Sequence, residues 1–222
     1  MVGELEPGVR LPNEAMLATE FGVSRATIRE ALRALTAQNL IRTVKGGGGG
    51  SYVTVPSADH ISEFVHANLN LLSDTRNVSL EELLEARELL EVPAARLAAE
   101  RQHNGGCAAL DAAIPEEPER SGTADQFIYN TDFHTAVVKL CGNALLGIAV
   151  QPIFSVLQTN LARSSLGRSF HVAINRHHRA IAEAIAAGDG NGAEREMRDH
   201  LTYLRPYYER AWRLAERVVA RA

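Results

Sequence analysis

Three arginines recur at every fourth position early in the chain, in the stretch GVSRATIREALRAL at residues 22–35. Because four residues turn an α-helix by about 400°, Arg25, Arg29 and Arg33 would form one stripe opposite an apolar face. Arginine binds guanine bidentately and pairs with phosphates, so such a stripe suits a nucleic-acid groove. The alternative is a solvated helix face on which Glu30 pairs with Arg33.

The elements around this stripe favour the nucleic-acid interpretation. Ser24 is placed to cap a helix, and Gly22 supplies the turn that separates this helix from a preceding one. The segments LIRTV and SYVTV then predict two short strands, joined by the glycine-rich KGGGGG. The sequence therefore predicts a winged helix-turn-helix over residues 1–56, with Arg25 and Arg29 as contacts to bases or phosphates.

Charge confines any nucleic-acid surface to this first quarter of the chain. The 222 residues carry a formal net charge of −4. Residues 1–56 hold six Arg or Lys against five Glu, a net charge of +1, which leaves −5 for the remainder. No apolar run approaches the roughly 20 residues needed to cross a bilayer, no signal peptide is apparent, and two distant cysteines do not suggest a disulfide framework. We therefore expect a cytoplasmic protein without a membrane partner.

Strand signals vanish beyond a linker that we predict at residues 57–60. Apolar residues at helical spacing predict an all-helical antiparallel bundle over residues 61–222. Three helices of this bundle direct an imidazole toward the core, from His134, His178 and His200. A buried polar group is costly unless it has a partner, so these rings must share partners with one another, with water or with a metal.

The spacing of these histidines favours convergence. His178 lies 11 residues before Asp189 and His200 lies 11 residues after it. If two antiparallel helices meet near Asp189, both rings stand about 16 Å from the turn and face each other. Asn130 and His134, four residues apart on a third helix, share one face and could complete a pocket. Three neutral imidazoles and an amide oxygen suit Zn²⁺, Ni²⁺ or Mn²⁺ and leave positions for a ligand oxygen.

Arg87 occupies the middle of another apolar stripe. An inward guanidinium needs an anion. One interpretation is a pair with an internal carboxylate, Glu88 or Glu91. The other is a carboxylate-bearing effector that also contacts the metal.

The first quarter of the chain resembles the DNA-binding domain of GntR-family bacterial transcription regulators. The resemblance covers residues 7–55 and is carried by GVRLPNEAMLATEFGVSRATIREALRALTAQNLIRTVKGGGGGSYVTV. It implies a recognition helix and a wing that approaches the minor groove. The DNA-contacting positions that it implies are Ser24, Arg25, Thr27 and Arg29 in the recognition helix and Gly48 and Gly49 in the wing.

The chain departs from the family pattern at two places. Ala15 stands where relatives often carry a basic residue, so one phosphate contact is expected to be missing. The sequence also begins inside the motif, without most of the helix that normally precedes it. From this we expect either an incomplete start or a less stable winged helix.

The remainder resembles the FCD effector domain of the FadR subfamily. The stretches that carry this resemblance are EARELLEVPAARLAAE at 85–100, NTDFHTAVVKLCGN at 130–143 and HHRAIAEAIAAGDGNGAEREMRDHL at 177–201. The resemblance implies a metal site formed by Asn130, His134, His178 and His200. Many members have Asp where this chain has Asn130, so the metal is expected to bind more weakly and an anionic effector more strongly.

The combined expectation is a homodimeric transcription regulator, more often a repressor in this family. A small organic acid would bind the metal and Arg87 and alter the affinity for operator DNA. Two alternatives stay open at the level of sequence. One is a regulator with a vestigial histidine cluster that binds its effector without metal. The other is a histidine-metal hydrolase or lyase, for which no HExxH or comparable pattern supplies a general base.

Overall fold

The computed structural model describes residues 6–46, 49–75, 77–101, 107–116, 123–162 and 166–219. Its chain forms two compact units, Met1–His60 and Ile61–Ala222. The fold is mainly α-helical, with one two-stranded sheet among the described residues. A winged helix-turn-helix therefore precedes a helical domain, which confirms the predicted fold class.

The first unit contains helices α1 (Glu14–Phe21) and α2 (Arg25–Ala37) and strands β1 (Ile41–Val44) and β2 (Gly50–Val53). Local chemistry sets the turn between the helices. Gly22 ends α1 with φ of 66°, a left-handed conformation that strains any residue with a Cβ. The Ser24 hydroxyl then caps α2 by accepting from the Thr27 backbone N–H at 3.1 Å. The two strands pair antiparallel and form the wing.

A helix crosses the boundary between the two units at residues 60 and 61. Helix α3 spans Ala58–Asp74 and therefore begins inside the predicted linker at 57–60. The Ser57 hydroxyl accepts from the backbone N–H of His60 at 3.2 Å, three residues later, as a helix cap does. The polypeptide thus leaves the winged unit already in helical conformation.

Six further helices in the described part of the chain build the second unit. They are α4 (Leu80–Arg101), α5 (Ala108–Ala112), α6 (Thr123–Leu140), α7 (Ala144–Ala162), α8 (Arg168–Ala186) and α9 (Gly190–Val219). Helix α4 packs against α6, α7, α8 and α9 and is therefore the centre of the bundle. A short turn at residues 187–189 joins α8 to α9, which also pack on each other.

Surface ion pairs mark the antiparallel register of α4 and α9. Residues with lower numbers on α4 pair with residues of higher numbers on α9, as expected for antiparallel helices. The pairs are Arg96–Glu194 (3.4 Å), Arg198–Glu88 (3.7 Å) and Arg205–Glu81 (2.7 Å). Exposed pairs of this kind add little stability, so most of the packing energy comes from two buried apolar clusters that α4 shares with its neighbours. None of the helices in the described part of the chain is long and apolar enough to cross a membrane.

Candidate functional site

Three imidazoles meet at the centre of the helical unit. His134 on α6, His178 on α8 and His200 on α9 each offer a ring nitrogen, and these atoms lie within 4.8 Å of one another. The three side chains are almost completely buried, at 2%, 2% and 0% exposure. The structure thus brings together the three histidines that the sequence singled out. The α8–α9 turn places His178 and His200 opposite each other, with ring centroids 4.9 Å apart.

Apolar surroundings keep these imidazole rings in the neutral form. The ring of Phe133 stacks on His178 at 3.9 Å between centroids, and Phe154 lies 4.8 Å from His134. Burial lowers the pKa of His178 and His200 well below the usual value, and positive neighbours add to this effect. Burial also lowers the pKa of His134, against the opposing charge of Glu91. Neutral imidazole is the form that binds a metal ion, so the site favours the state that coordination requires.

Glu91 on α4 determines which nitrogen of His134 is available. Its Oε2 atom lies 2.6 Å from His134 Nδ1, where two lone pairs would repel, so Nδ1 carries the proton. Burial alone would raise the pKa of Glu91, but Arg87 and His134 outweigh burial and lower it to about 2. The carboxylate is therefore ionised, and His134 Nε2 presents its lone pair to the centre. A carboxylate that holds the outer nitrogen is the usual support of a metal-binding histidine.

Besides Nδ1 of His134, which faces the Glu91 carboxylate, three buried polar atoms of Asn130 and the histidine cluster have no hydrogen-bond partner among the described residues. They are the side-chain oxygen of Asn130, Nε2 of His178 and Nδ1 of His200. Asn130 is only 8% exposed and lies one turn before His134 on α6. Buried polar atoms without partners are rare in folded proteins, and a water or an ion is a common partner for them. Asn130 and His178 line the same small cavity, so an ion there would have oxygen and nitrogen ligands on offer.

The distance between two of the rings also fits a shared cation. The Nε2 atoms of His134 and His200 lie 3.2 Å apart. Two nitrogens bound tetrahedrally to one Zn²⁺, each at about 2.0–2.1 Å, would be separated by about 3.3 Å. The residues present thus fit a divalent ion with nitrogen and oxygen ligands.

Arg87 lies beside this centre rather than in an open pocket. Its guanidinium, 1% exposed, donates from Nε to Glu91 Oε1 at 2.6 Å and from Nη1 to the Tyr208 hydroxyl at 2.7 Å. Of the two internal carboxylates considered from the sequence, the partner is Glu91, because Glu88 lies beside Arg198 on the surface. The remaining group, Nη2, lies 3.1 Å from His134 Nε2 and 3.5 Å from Glu91 Oε2.

Sequence reasoning missed the residues that support the histidines. Tyr208 lies eight residues after His200 on α9, a spacing that returns to the same helix face, so it could have been found. The stacking of Phe133 on His178 could not, because it depends on how α6 packs against α8.

A small cavity adjoins the histidine cluster between α6 and α8. Its volume is about 20 Å³, and its lining includes Asn130, His171 and His178. A second cavity of about 30 Å³ has Arg87, Thr202 and Tyr208 in its lining. A volume of this size holds about one water molecule. Entry of an organic acid would therefore require the helices to move apart.

Ser24 caps α2, and Arg25, Thr27 and Arg29 lie in its first turns, where they differ in their present partners. The hydroxyls of Ser24 and Thr27 lie 2.9 Å apart at the start of the helix. Arg25, which follows Ser24, makes no ion pair with a described residue, whereas Arg29 pairs with Glu14 on α1 at 2.8 Å. The pairing of Arg33 with Glu30, at 2.6 Å, is the one that the solvated-face alternative predicts.

Of the two predicted wing contacts, Gly48 and Gly49, the structure describes one. Gly48 lies outside the described residues. Gly49 leaves no room for a side chain, because an added Cβ would lie 2.3 Å from the carbonyl oxygen of Val44. Its backbone carbonyl also accepts a hydrogen bond from Arg10. Gly49 thus has a structural reason to be glycine in addition to any contact with DNA.

Comparison with known proteins decides the family. Residues 1–50 match the family described as "Bacterial regulatory proteins, gntR family", and residues 82–203 match the FCD domain. The chain belongs to the GntR family of regulators with an FCD domain. The family consists of DNA-binding transcription regulators and not of enzymes, so the regulator is not a hydrolase or lyase.

Named relatives span nearly the whole regulator. It is 31% identical over 211 residues to the Putative L-lactate dehydrogenase operon regulatory protein of Escherichia coli, covering 90% of this chain and 78% of that one. It is 32% identical over 207 residues to the HTH-type transcriptional regulator LutR of Bacillus subtilis, covering 90% and 91% of the two chains. A solved structure of Streptococcus agalactiae GntR covers 91% of both chains with 25% identity and a TM-score of 0.64.

Proposed function

We propose that this regulator is a homodimeric repressor whose affinity for operator DNA is controlled by a small carboxylate effector at a metal site in the helical unit. Asn130, His134, His178 and His200 would hold a Zn²⁺, Ni²⁺ or Mn²⁺ ion. The observation that carries this proposal is the meeting of three buried imidazoles, together with an Asn130 oxygen, one turn from His134, that has no partner among the described residues. A divalent ion at this point would supply a positive charge to which an anionic effector can bind.

Chemistry and the name of one relative support a first class of effector to test. A metal with open positions, lined by neutral ligands, attracts a bidentate carboxylate. The name of the Escherichia coli relative refers to L-lactate, which is a 2-hydroxycarboxylate and can offer a carboxylate and a hydroxyl oxygen together. A 2-hydroxy acid is therefore the first effector class to test. Arg87 would contact the carboxylate of such an effector.

We propose that the winged unit recognises the operator DNA. Ser24, Arg25, Thr27 and Arg29 would contact the major groove or its phosphates, and the wing residues Gly48 and Gly49 would approach the minor groove. A homodimer would place two such units on a pseudo-palindromic operator. Light scattering of the purified regulator, with and without operator DNA, tests the oligomeric state.

The main experiment separates metal, effector and DNA. Untagged regulator is purified, its metal content is measured by mass spectrometry, and operator binding is followed by fluorescence anisotropy with and without L-lactate. We expect about one metal per chain, its loss in His134→Ala, and release of DNA by L-lactate only in the metal-loaded protein. Metal content equal in the wild type and His134→Ala would refute the metal site.

One observation favours a second candidate, a regulator that binds its effector without metal. His134 Nε2 already has Arg87 Nη2 at 3.1 Å, so this lone pair has an internal partner. In that case the buried cluster would be purely structural. Effector binding would then survive complete removal of metal by a chelator, whereas the leading proposal expects it to be lost.

A further inference from the structure

One lone pair at the centre of the histidine cluster, on His134 Nε2, has three possible partners: Arg87 Nη2, His200 Nε2 at 3.2 Å, and a metal ion. Because Glu91 fixes the proton of His134 on Nδ1, the ring offers only Nε2 as an acceptor. Arg87 Nη2 lies 3.1 Å from this atom and is placed to donate to it. A metal ion at the centre would need the same lone pair. The guanidinium contact and a metal–nitrogen bond at His134 therefore exclude each other.

The guanidinium is held at this point by contacts from three sides. Glu91 accepts from its Nε, Tyr208 accepts from its Nη1, and the ring of Phe154 lies under its central carbon at 4.8 Å from the centroid. All three groups come from different helices, α4, α9 and α7. The positive charge is thus part of the buried core, where water does not screen it.

We propose that Arg87 is an internal competitor of the metal ion: its Nη2 group occupies His134 Nε2 in the metal-free regulator and must leave for a cation to bind. This inference rests on the proposed metal site and adds how occupancy of that site is controlled. Arg87 opposes the cation in two ways, by capping a ligand nitrogen and by placing a like charge beside it. The affinity for metal is thereby held below what the three imidazoles alone would give.

Glu91 strengthens the competition between Arg87 and the metal, because Arg87 and His134 share its single negative charge. Its Oε1 accepts from Arg87 Nε at 2.6 Å, while its Oε2 lies 2.6 Å from His134 Nδ1 and accepts only a long bond, 3.5 Å, from Arg87 Nη2. Without the guanidinium, the whole carboxylate charge would act on His134 and make Nε2 a stronger ligand. Loss of Arg87 should therefore raise metal affinity, although loss of a buried structural residue would ordinarily lower it.

The direction of this change gives the experiment. Zn²⁺ affinity of the untagged full-length regulator is measured by competition with a chromophoric chelator, without any organic acid. The variants are Arg87→Gln, Arg87→Lys, His134→Ala and the matched control Arg96→Gln, which removes a charge from the exposed face of the same helix. We expect Arg87→Gln to bind Zn²⁺ at least about ten-fold more tightly than the wild type, Arg87→Lys to lie between them, and Arg96→Gln to be unchanged.

Two failures are distinguishable. If the wild type and His134→Ala bind Zn²⁺ equally, the metal site itself is wrong. If His134→Ala loses Zn²⁺ while Arg87→Gln binds it no more tightly than the wild type, the site stands and the competition is wrong.

A measurement on the wild type covers the case in which Arg87→Gln does not fold. The side-chain N–H signals of Arg87 are followed by ¹H–¹⁵N NMR during Zn²⁺ titration of the full-length regulator. Nη2 should shift on saturation, because it leaves His134, while Nε should change little, because Glu91 still holds it. An unchanged Nη2 signal at Zn²⁺ saturation would overturn the proposal.

Discussion

Glu14 on α1 and Arg29 on α2 form a two-armed ion pair across the helix-turn-helix. Arg29 Nη2 lies 2.8 Å from Glu14 Oε2, and its Nε lies 3.2 Å from Oε1. Both side chains remain partly exposed, Arg29 at 55% and Glu14 at 38%. The hydrogen bond from Arg29 lowers the pKa of Glu14, and the same bond raises the pKa of Arg29. A DNA phosphate would have to compete with Glu14 for this guanidinium.

This competition predicts that Glu14→Gln strengthens DNA binding. Removing the carboxylate charge should leave Arg29 fully available to a phosphate, raise operator affinity several-fold, and steepen the salt dependence by about one counterion. The measurement is fluorescence anisotropy at several salt concentrations, with an operator selected from a random-sequence pool. The control Glu20→Gln removes the same charge from the end of α1. Weaker binding in Glu14→Gln alone would show that the pair only supports the fold.

The two flanking arginines of the stripe should differ. Arg25 lies at the start of α2 and makes no ion pair with a described residue, whereas Arg33 pairs with Glu30. We expect Arg25→Ala to weaken operator binding by about 10-fold to 100-fold, in line with loss of one bidentate base contact. Arg33→Ala should change it by less than about three-fold. Equal effects of the two substitutions in the same anisotropy assay would remove the special role of the N-terminal end of α2.

Much of the fold was predictable because its signals are local. The cap at Ser24, the turn at Gly22 and the apolar spacing of α8 and α9 each depend on a few neighbouring residues. The meeting of His178 and His200 was predictable for the same reason, since a short turn fixes the register of two antiparallel helices.

The environment of Arg87 was not predictable in the same way. An arginine in an apolar stripe indicates a buried anion, but the choice between Glu88 and Glu91 depends on which helix covers each of them. The surface side of α4 meets Arg198 of α9 at Glu88, while the buried side meets His134 of α6 at Glu91. Such contacts join residues far apart in the chain, so the pattern of one helix does not contain them.

Asn130 offers a direct test of the metal site by addition of charge. Its side-chain oxygen is buried, has no described partner and lies one turn from His134. Asn130→Asp would place a carboxylate there, and its charge should tighten Zn²⁺ binding at least about ten-fold. The control Asn68→Asp adds the same charge on the exposed surface of α3, where the amide donates to the carbonyl of Phe64. Chelator competition compares the variants, and equal Zn²⁺ affinity in both would place Asn130 outside the ligand set.

Tyr208 should stabilise the helical unit through the buried charge of Arg87. Its hydroxyl accepts from Nη1 at 2.7 Å, and the residue is 2% exposed. Tyr208→Phe would leave a buried cationic donor without a partner, which should lower the free energy of unfolding by about 1–3 kcal/mol. Urea unfolding of the metal-free regulator measures this loss.

Tyr207→Phe is the matched control for Tyr208. It deletes the same hydroxyl from the preceding residue of α9, where that group pairs with the Tyr203 hydroxyl at 3.1 Å in a half-buried position. Because neither partner is charged and water reaches the pair, its loss should be clearly smaller. If the two substitutions cost the same, Arg87 Nη1 must find another acceptor when Tyr208 is removed, and the guanidinium is less firmly held than its three contacts imply.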